Sequence, residues 1–307
     1  MRKMPVYLIN GFLGSGKTTM MLKMIKKLQK DGLKVAILLN ELGQTNLERH
    51  MFKEENFFEL LNGCICCSLQ DDLKKVMHDL SSLHKDGTVD VAVIEGTGVA
   101  NPGEIHEILN QHPFSDLFLL KESVCITDAS MLQEYLSVFS SSKEVRNLQK
   151  QQIHHASYIV LNKVDLIDHK TDLEKVRKLV RKINTDAAIN ETTYGDCVDD
   201  LFQTQSSLAT KGKKSEEDYA HHREIKAIKI QNVNNVGRTD VNRILSSLIK
   251  DMIRAKGTIY DPSEEQWYHF QYASGKLQWE KIQTYSDTRD GEIIFIGTNL
   301  SREKVLL

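Results

Sequence analysis

Three short stretches of this chain have residue types and spacings that could do chemistry. Gly11-Phe12-Leu13-Gly14-Ser15-Gly16-Lys17-Thr18 fits the pattern G-x-x-x-x-G-K-[ST]. Its glycines let the backbone fold back and aim N–H groups at phosphate oxygens, at a helix N-terminus whose dipole favours anions. Lys17 supplies a point charge for terminal phosphates. Thr18 offers a hydroxyl to Mg²⁺, a cation that prefers hard oxygen ligands, and Thr19 closes the same cradle. The bland alternative is a glycine-rich turn that merely joins a strand to a helix. Against it, every fixed position is present, an apolar strand pattern (Val6 to Ile9) precedes and a helical pattern follows.

The second stretch is Cys64-Ile65-Cys66-Cys67, followed by Ser68 and an amphipathic pattern through Leu69, Leu73, Val76, Met77 and Leu80. Three thiols just ahead of a helix N-terminus sit where the dipole favours thiolate over thiol. Such a cluster offers up to three soft ligands, selecting Zn²⁺ or Cu⁺ over Mg²⁺, and a tetrahedral Zn²⁺ would need a fourth ligand from elsewhere. A buried inert cluster and a redox pair are the competing readings. Cys125, inside the apolar run Val124 to Ile126, reads as core, and Cys197 as a surface or half-buried residue.

The third is Asn162-Lys163-Val164-Asp165 at the end of the apolar run Ser157 to Leu161. An Asp there can accept from the guanine N1–H and exocyclic amine, a donor pair adenine does not present, while the Lys stem lies along the base. This motif points to GTP over ATP. Between the second and third stretches, Glu95-Gly96-Thr97-Gly98 closes the run Val89 to Ile94. A carboxylate at Glu95 can serve the Mg²⁺ shell or orient an attacking water, and Gly98 lets a backbone N–H approach the terminal phosphate.

These residues need a scaffold, and the hydrophobic pattern supplies one. Met20, Met21, Met24, Ile25 and Leu28 recur at helical spacing after the glycine loop. The nearly continuous apolar run Leu33 to Leu39 reads as a parallel strand covered on both faces and stops at Asn40-Glu41-Leu42-Gly43. If that strand neighbours the first, Glu41 lies near the phosphates; otherwise it is a solvated turn carboxylate. Alternation of strand and helix continues to Ala187–Ile189, so residues 1–203 read as an α/β P-loop domain with a mostly parallel sheet flanked by helices. Residues 204–222 are polar without apolar periodicity, a linker or exposed loop. Residues 223–307 read as a smaller α+β domain: a strand at Ile225 to Ile230, a helix from Val241 to Ala255, strands near 257–260, 265–272, 276–283 and 293–296, and a short terminal helix. His154-His155 and His221-His222 read as ordinary solvated histidines.

A formal net charge of −2 argues against a nucleic-acid surface, and no apolar run approaches the ~20 residues of a membrane span. The first strand follows Met1-Arg2-Lys3 directly, leaving no room for a signal peptide, so a cytoplasmic location is expected. Five cysteines, three of them clustered, suit a reducing compartment rather than a disulfide framework.

Taken together the motifs resemble those of the CobW-type P-loop GTPases, cytoplasmic metallochaperones for zinc or cobalt related to the GTPases that help insert nickel into hydrogenase and urease. The likeness runs through Gly11 to Thr19, Asn40 to Gly43, Asn62 to Cys67, Ile94 to Pro102 and Leu161 to Leu166, and through Arg254 to Gly257 and Ile296-Gly297 in the second domain. It implies GTP hydrolysis, a transferred metal, Zn²⁺ or Co²⁺, on Cys64, Cys66 and Cys67, and a role for Glu41 toward either Mg²⁺ or that metal. It also implies a client metalloprotein that receives the metal. Gln44 stands where the family often has an acidic residue, and only His221-His222 stand in place of a long His-rich loop. Rival readings are a metal-independent or redox-sensing GTPase switch and a small-molecule P-loop kinase; oligomeric state is not encoded in any of these motifs.

Overall fold

The computed structural model describes residues 2–39, 57–59, 69–96, 102–203, 225–233, 236–248, 251–273, 276–282, 291–298 and 300–305. The chain divides into two compact units, Met1–Ser215 and Glu216–Leu307.

In the first unit the apolar runs form a seven-stranded sheet of order β3-β2-β4-β1-β5-β6-β7, parallel at every pairing. The strands are β1 (Met4–Gly11), β2 (Val35–Leu39), β3 (Phe57–Glu59), β4 (Val91–Glu95), β5 (Phe118–Asp128), β6 (Tyr158–Asn162) and β7 (Ala188–Glu191). Parallel strands need crossovers, and helices supply them: α1 (Lys17–Lys30), α2 (Leu69–Lys85), α3 (Pro102–Asn110), α4 (Phe114–Leu117), α5 (Leu132–Leu136), α6 (Lys143–His154), α7 (Lys170–Ile183) and α8 (Val198–Gln203). Both sheet faces are therefore covered. Met20, Met21, Met24, Ile25 and Leu28 of α1 pack on Ile9, Val93 and Val124 on one face. On the other, Leu73, Met77 and Leu80 of α2 and Ile105, Ile108 and Leu109 of α3 pack on Val6, Leu8 and Ile94. Successive residues of β1 thus enter opposite cores, as the pleat requires.

β1 lies at the centre, where strands added in one direction give way to strands added in the other, and such a switch point opens a crevice beyond the carboxyl ends. The register brings four of those ends side by side: Ile9 opposite Glu95, Gly11 opposite Ile126, and Asp128 opposite Asn162. The condition that would put Glu41 near the phosphates is not met, because β4 lies between β2 and β1. Glu95 takes the neighbouring place. Glu41 itself lies outside the described residues.

The second unit is a five-stranded antiparallel sheet, order β11-β10-β9-β12-β8, from β8 (Ile225–Gln231), β9 (Met252–Asp261), β10 (Gln266–Ala273), β11 (Lys276–Ile282) and β12 (Glu292–Thr298). Helix α9 (Arg238–Ser247) covers one face through Val241, Ile244 and Leu245. The helix expected over Val241 to Ala255 ends early. Residues from Met252 onward are claimed by β9, a central strand bonded to β10 and β12, and two ladders outweigh a helical pattern that Leu248, Ile249 and Met252 would have carried onward. Gly257 is needed there, since a Cβ would lie 2.6 Å from the Glu292 carbonyl oxygen.

Cys125 is buried as expected. Cys197 is not a surface residue: it is 3% exposed and packs with Tyr158 and Leu201 against α1.

One titratable contact in this core gives a measurable consequence. His106 of α3 has Nε2 3.0 Å from the Ser123 hydroxyl and its ring 5.5 Å from that of His155 at the end of α6. Burial, reinforced by His155, pushes the His106 imidazole down to about 4. Its folded value lies below the unfolded ~6.5, so the stability it contributes is complete above that pH and is lost as pH falls toward 4. Urea unfolding at pH 7 and pH 5 should differ by ~1–2 kcal/mol, with His106→Gln shrinking the difference. Equal pH dependence in the two proteins would rule this contact out as the source.

Candidate nucleotide-binding site

The glycine loop leaves β1 with Gly11 at φ 146°, Gly14 at 79° and Gly16 at 106°, conformations that side chains disfavour. Two of the three are also fixed by close approach. A Cβ on Gly11 would lie 2.1 Å from the Ile126 carbonyl oxygen, and one on Gly16 2.4 Å from Asn162 Nδ2. The loop closes with the Ser15 N–H donating to the Phe12 carbonyl at 3.2 Å. Phe12 is anchored edge-on to Tyr135 of α5 at 4.9 Å.

Helix α1 starts at Lys17 with no side-chain cap and no acidic residue in its first turn, so its leading N–H groups and dipole are left for an anion. Lys17 is 8% exposed and arches back over the loop, its ammonium 3.3 Å from the Phe12 carbonyl. Thr18 is half-buried behind it, while Thr19 and Gly14 are exposed. Glu95, at the end of β4, is 3% exposed.

Asn162 joins the two halves of the site. Its Nδ2 donates to the Ser15 carbonyl at 2.8 Å, and its Oδ1 accepts from the Gly195 N–H at 3.2 Å. One buried carboxamide therefore binds the phosphate loop, the end of β6 and the turn after β7. The next residue, Lys163, takes a left-handed backbone (φ 60°), and its ammonium pairs with Asp128 at 2.6 Å. Asp128 is itself oriented by the Ser130 backbone and hydroxyl. Asp165 follows in a single turn of 3₁₀ helix, Val164–Leu166, with its carboxylate exposed.

The structure thus brings together Gly11, Gly14, Ser15, Gly16, Lys17, Thr18, Glu95, Asn162 and Lys163 at one end of the sheet. Gly98, Cys64, Cys66, Cys67, Glu41 and His221-His222 lie outside the described residues. Among the described residues no group of three His, Cys, Asp or Glu side chains could hold a metal ion. Cys125 and Cys197 are unsuited to one: burial pushes their thiols up to about 12 and about 11, with Asp200 and Asp196 adding to the effect at Cys197.

Several residues of the site carry no motif of their own. Asp128 could have been noticed only as a carboxylate at a strand end. Gly195 is part of a Tyr-Gly turn signal after the last strand. Asn10 is buried with both amide atoms unpartnered among the described residues, and its Oδ1 would lie 2.3 Å from a Cβ at position 96, which explains Gly96.

Residues 5–191 match the family described as CobW/HypB/UreG, nucleotide-binding domain, and residues 225–306 match the Cobalamin synthesis protein cobW C-terminal domain. The chain belongs to the CobW/HypB/UreG family. It is 26% identical to the zinc chaperone YjiA of Escherichia coli K12, over 99% of this chain and 97% of that protein. It is 35% identical to the zinc-regulated GTPase metalloprotein activator 1 of Schizosaccharomyces pombe, over 65% of this chain and 48% of that one, so it spans about half of that relative. Among solved structures, the Zn(II)-bound YjiA GTPase from E. coli superposes with a TM-score of 0.50 at 23% identity, over 99% of this chain and 97% of that one, a likeness of fold.

Proposed function

We propose that this CobW/HypB/UreG family member is a GTP-hydrolysing metallochaperone, with Zn²⁺ on Cys64, Cys66 and Cys67 as cargo, Co²⁺ as the other metal of similar thiolate geometry, and a cytoplasmic client metalloprotein as recipient. The observation that carries the nucleotide half is the Asn162 carboxamide, which holds the phosphate loop and the guanine motif together as one site. The metal half rests on the C-x-C-C sequence and on relatives named as zinc chaperones.

In this reading the α1 N-terminus and loop N–H groups bind the β- and γ-phosphates, and Lys17 neutralises charge that builds on the transferring phosphoryl group. Thr18 and Glu95 are hard oxygen donors on adjoining elements, a set that suits Mg²⁺; they would hold it, and it would draw charge from the phosphates. Glu95 also stands where a carboxylate can orient the attacking water. Asp165 reads the base. The cysteines lie between the glycine loop and Glu95 in sequence, so segments that meet the phosphates also flank the metal.

Such a gate has a thermodynamic signature. If Zn²⁺ binds the GTP form more tightly than the GDP form, Zn²⁺ must tighten GTP binding by the same factor, with typical couplings of roughly 5- to 150-fold. Cys66→Ser or Cys67→Ser should abolish the coupling while leaving GTP affinity in metal-free buffer intact. Calorimetric titration of Zn²⁺ into GTP-analogue and GDP forms at fixed pH measures it, because thiols shed protons on binding. Equal affinities in the two forms would end the gated-transfer mechanism.

A further inference from the structure

Beside the guanine motif lies a turn that the mechanism above does not use, residues 192–195 between β7 and α8. It is bound to the motif twice. The Val164 N–H donates to the Thr192 carbonyl at 3.3 Å, and the Gly195 N–H to Asn162 Oδ1 at 3.2 Å. Gly195 is also packed on α1, where a Cβ would meet Met20 Sδ at 3.3 Å. Held between these contacts, Tyr194 takes a left-handed backbone, φ 54°. For a bulky residue that conformation is costly and persists only where the surroundings impose it. Yet the ring it carries is not used for packing: Tyr194 is 70% exposed.

We propose that Tyr194 is a base-binding residue whose ring stacks on the nucleobase held at Asp165. The proposal rests on the guanine-nucleotide reading and deepens it. A base bound by Asp165 through its edge still has two faces to be covered. Lys163, its ammonium drawn to Asp128, can lay its stem along one. Asn162 to Leu166 contains no ring for the other, and Tyr194 is the aromatic residue of the adjoining turn. Stacking is indifferent to which base is present, so the ring adds affinity while Asp165 makes the choice.

The test uses the full chain, with GDP, ADP and inorganic tripolyphosphate, which carries no base, as probes. Tyr194→Ala and Tyr194→Gly should bind GDP about 5- to 100-fold more weakly than the parent, with tripolyphosphate affinity unchanged and Tyr194→Phe within about twofold. Glycine suits a positive φ, so Tyr194→Gly should melt no lower than the parent while binding worse, a divergence that a packing role would not produce. In Tyr194→Trp, emission from the added indole should change with GDP and not with tripolyphosphate. Parent-like GDP affinity in both the Ala and Gly variants, or an equal loss for tripolyphosphate, overturns the proposal. A parent that binds ADP as tightly as GDP overturns the guanine assignment alone, and the ring is then judged by the same loss measured with ADP.

Discussion

Asp165→Asn is expected to exchange GTP for xanthosine triphosphate as the preferred nucleotide. On the proposed reading the parent carboxylate accepts from the guanine N1–H and the exocyclic amine, whereas the amide would still accept from N1–H but present a donor where the amine was. Xanthine has a carbonyl there, so the pattern is restored by a change in the ligand. Two hydrogen bonds to a charged group are at stake, and sites built on such bonds discriminate strongly. GTP affinity should fall by roughly 10²- to 10⁴-fold, with xanthosine triphosphate regaining most of it. Asp165 is exposed on a 3₁₀ turn, so the substitution should leave unfolding unchanged. Competition between the two triphosphates reads the result, and a variant that still prefers GTP would remove Asp165 from the base.

Lys17→Ala should reduce GTP turnover by at least ~10²-fold, the usual consequence of removing one preorganised charge from a phosphoryl-transfer site. The side chain is nearly buried against its own loop, yet the loop's shape is set by Gly11, Gly16 and the Asn162 amide rather than by the ammonium. Thermal stability should therefore change little while phosphate release from GTP all but stops. Thr18→Ala acts at a different point: its loss should be deepest at low Mg²⁺ and partly recovered as Mg²⁺ is raised, whereas Lys17→Ala should not respond to Mg²⁺. Parent-like turnover in Lys17→Ala would place the phosphates elsewhere.

Much of this site could be read from the sequence because its parts are local. The glycine loop is legible since fixed spacing, an apolar strand before it and a methionine-rich helical stripe after it are all contained in residues 4–30. Non-local facts were not legible. That β4 rather than β2 lies beside β1 depends on strand order, which no pattern along the chain records, and it is what sets Glu95 at the strand end next to the glycine loop. Asn162 looks like a base-reading residue in a four-residue motif, but its amide is spent on Ser15 and Gly195, separated from it by 147 and 33 positions. Cys197, among Asp196, Asp199 and Asp200, looks solvated; what buries it is the packing of α8 on α1. The helix over Val241 to Ala255 failed for a related reason, since a central strand's demand for partners on both sides is invisible in an apolar period.

The burial of Cys125 and Cys197 also gives the protein a chemical handle. With thiols raised to about 12 and about 11, thiolate at neutral pH amounts to roughly one molecule in 10⁵ at Cys125 and one in 10⁴ at Cys197. Thiolate, not thiol, attacks an alkylating reagent, so in the native chain both residues should react slowly. Prompt labelling of the native chain should therefore leave Cys125 and Cys197 out, and on the metal-cargo proposal Zn²⁺ should protect Cys64, Cys66 and Cys67, a protection that can be followed by counting modified sulfurs without substituting a single residue.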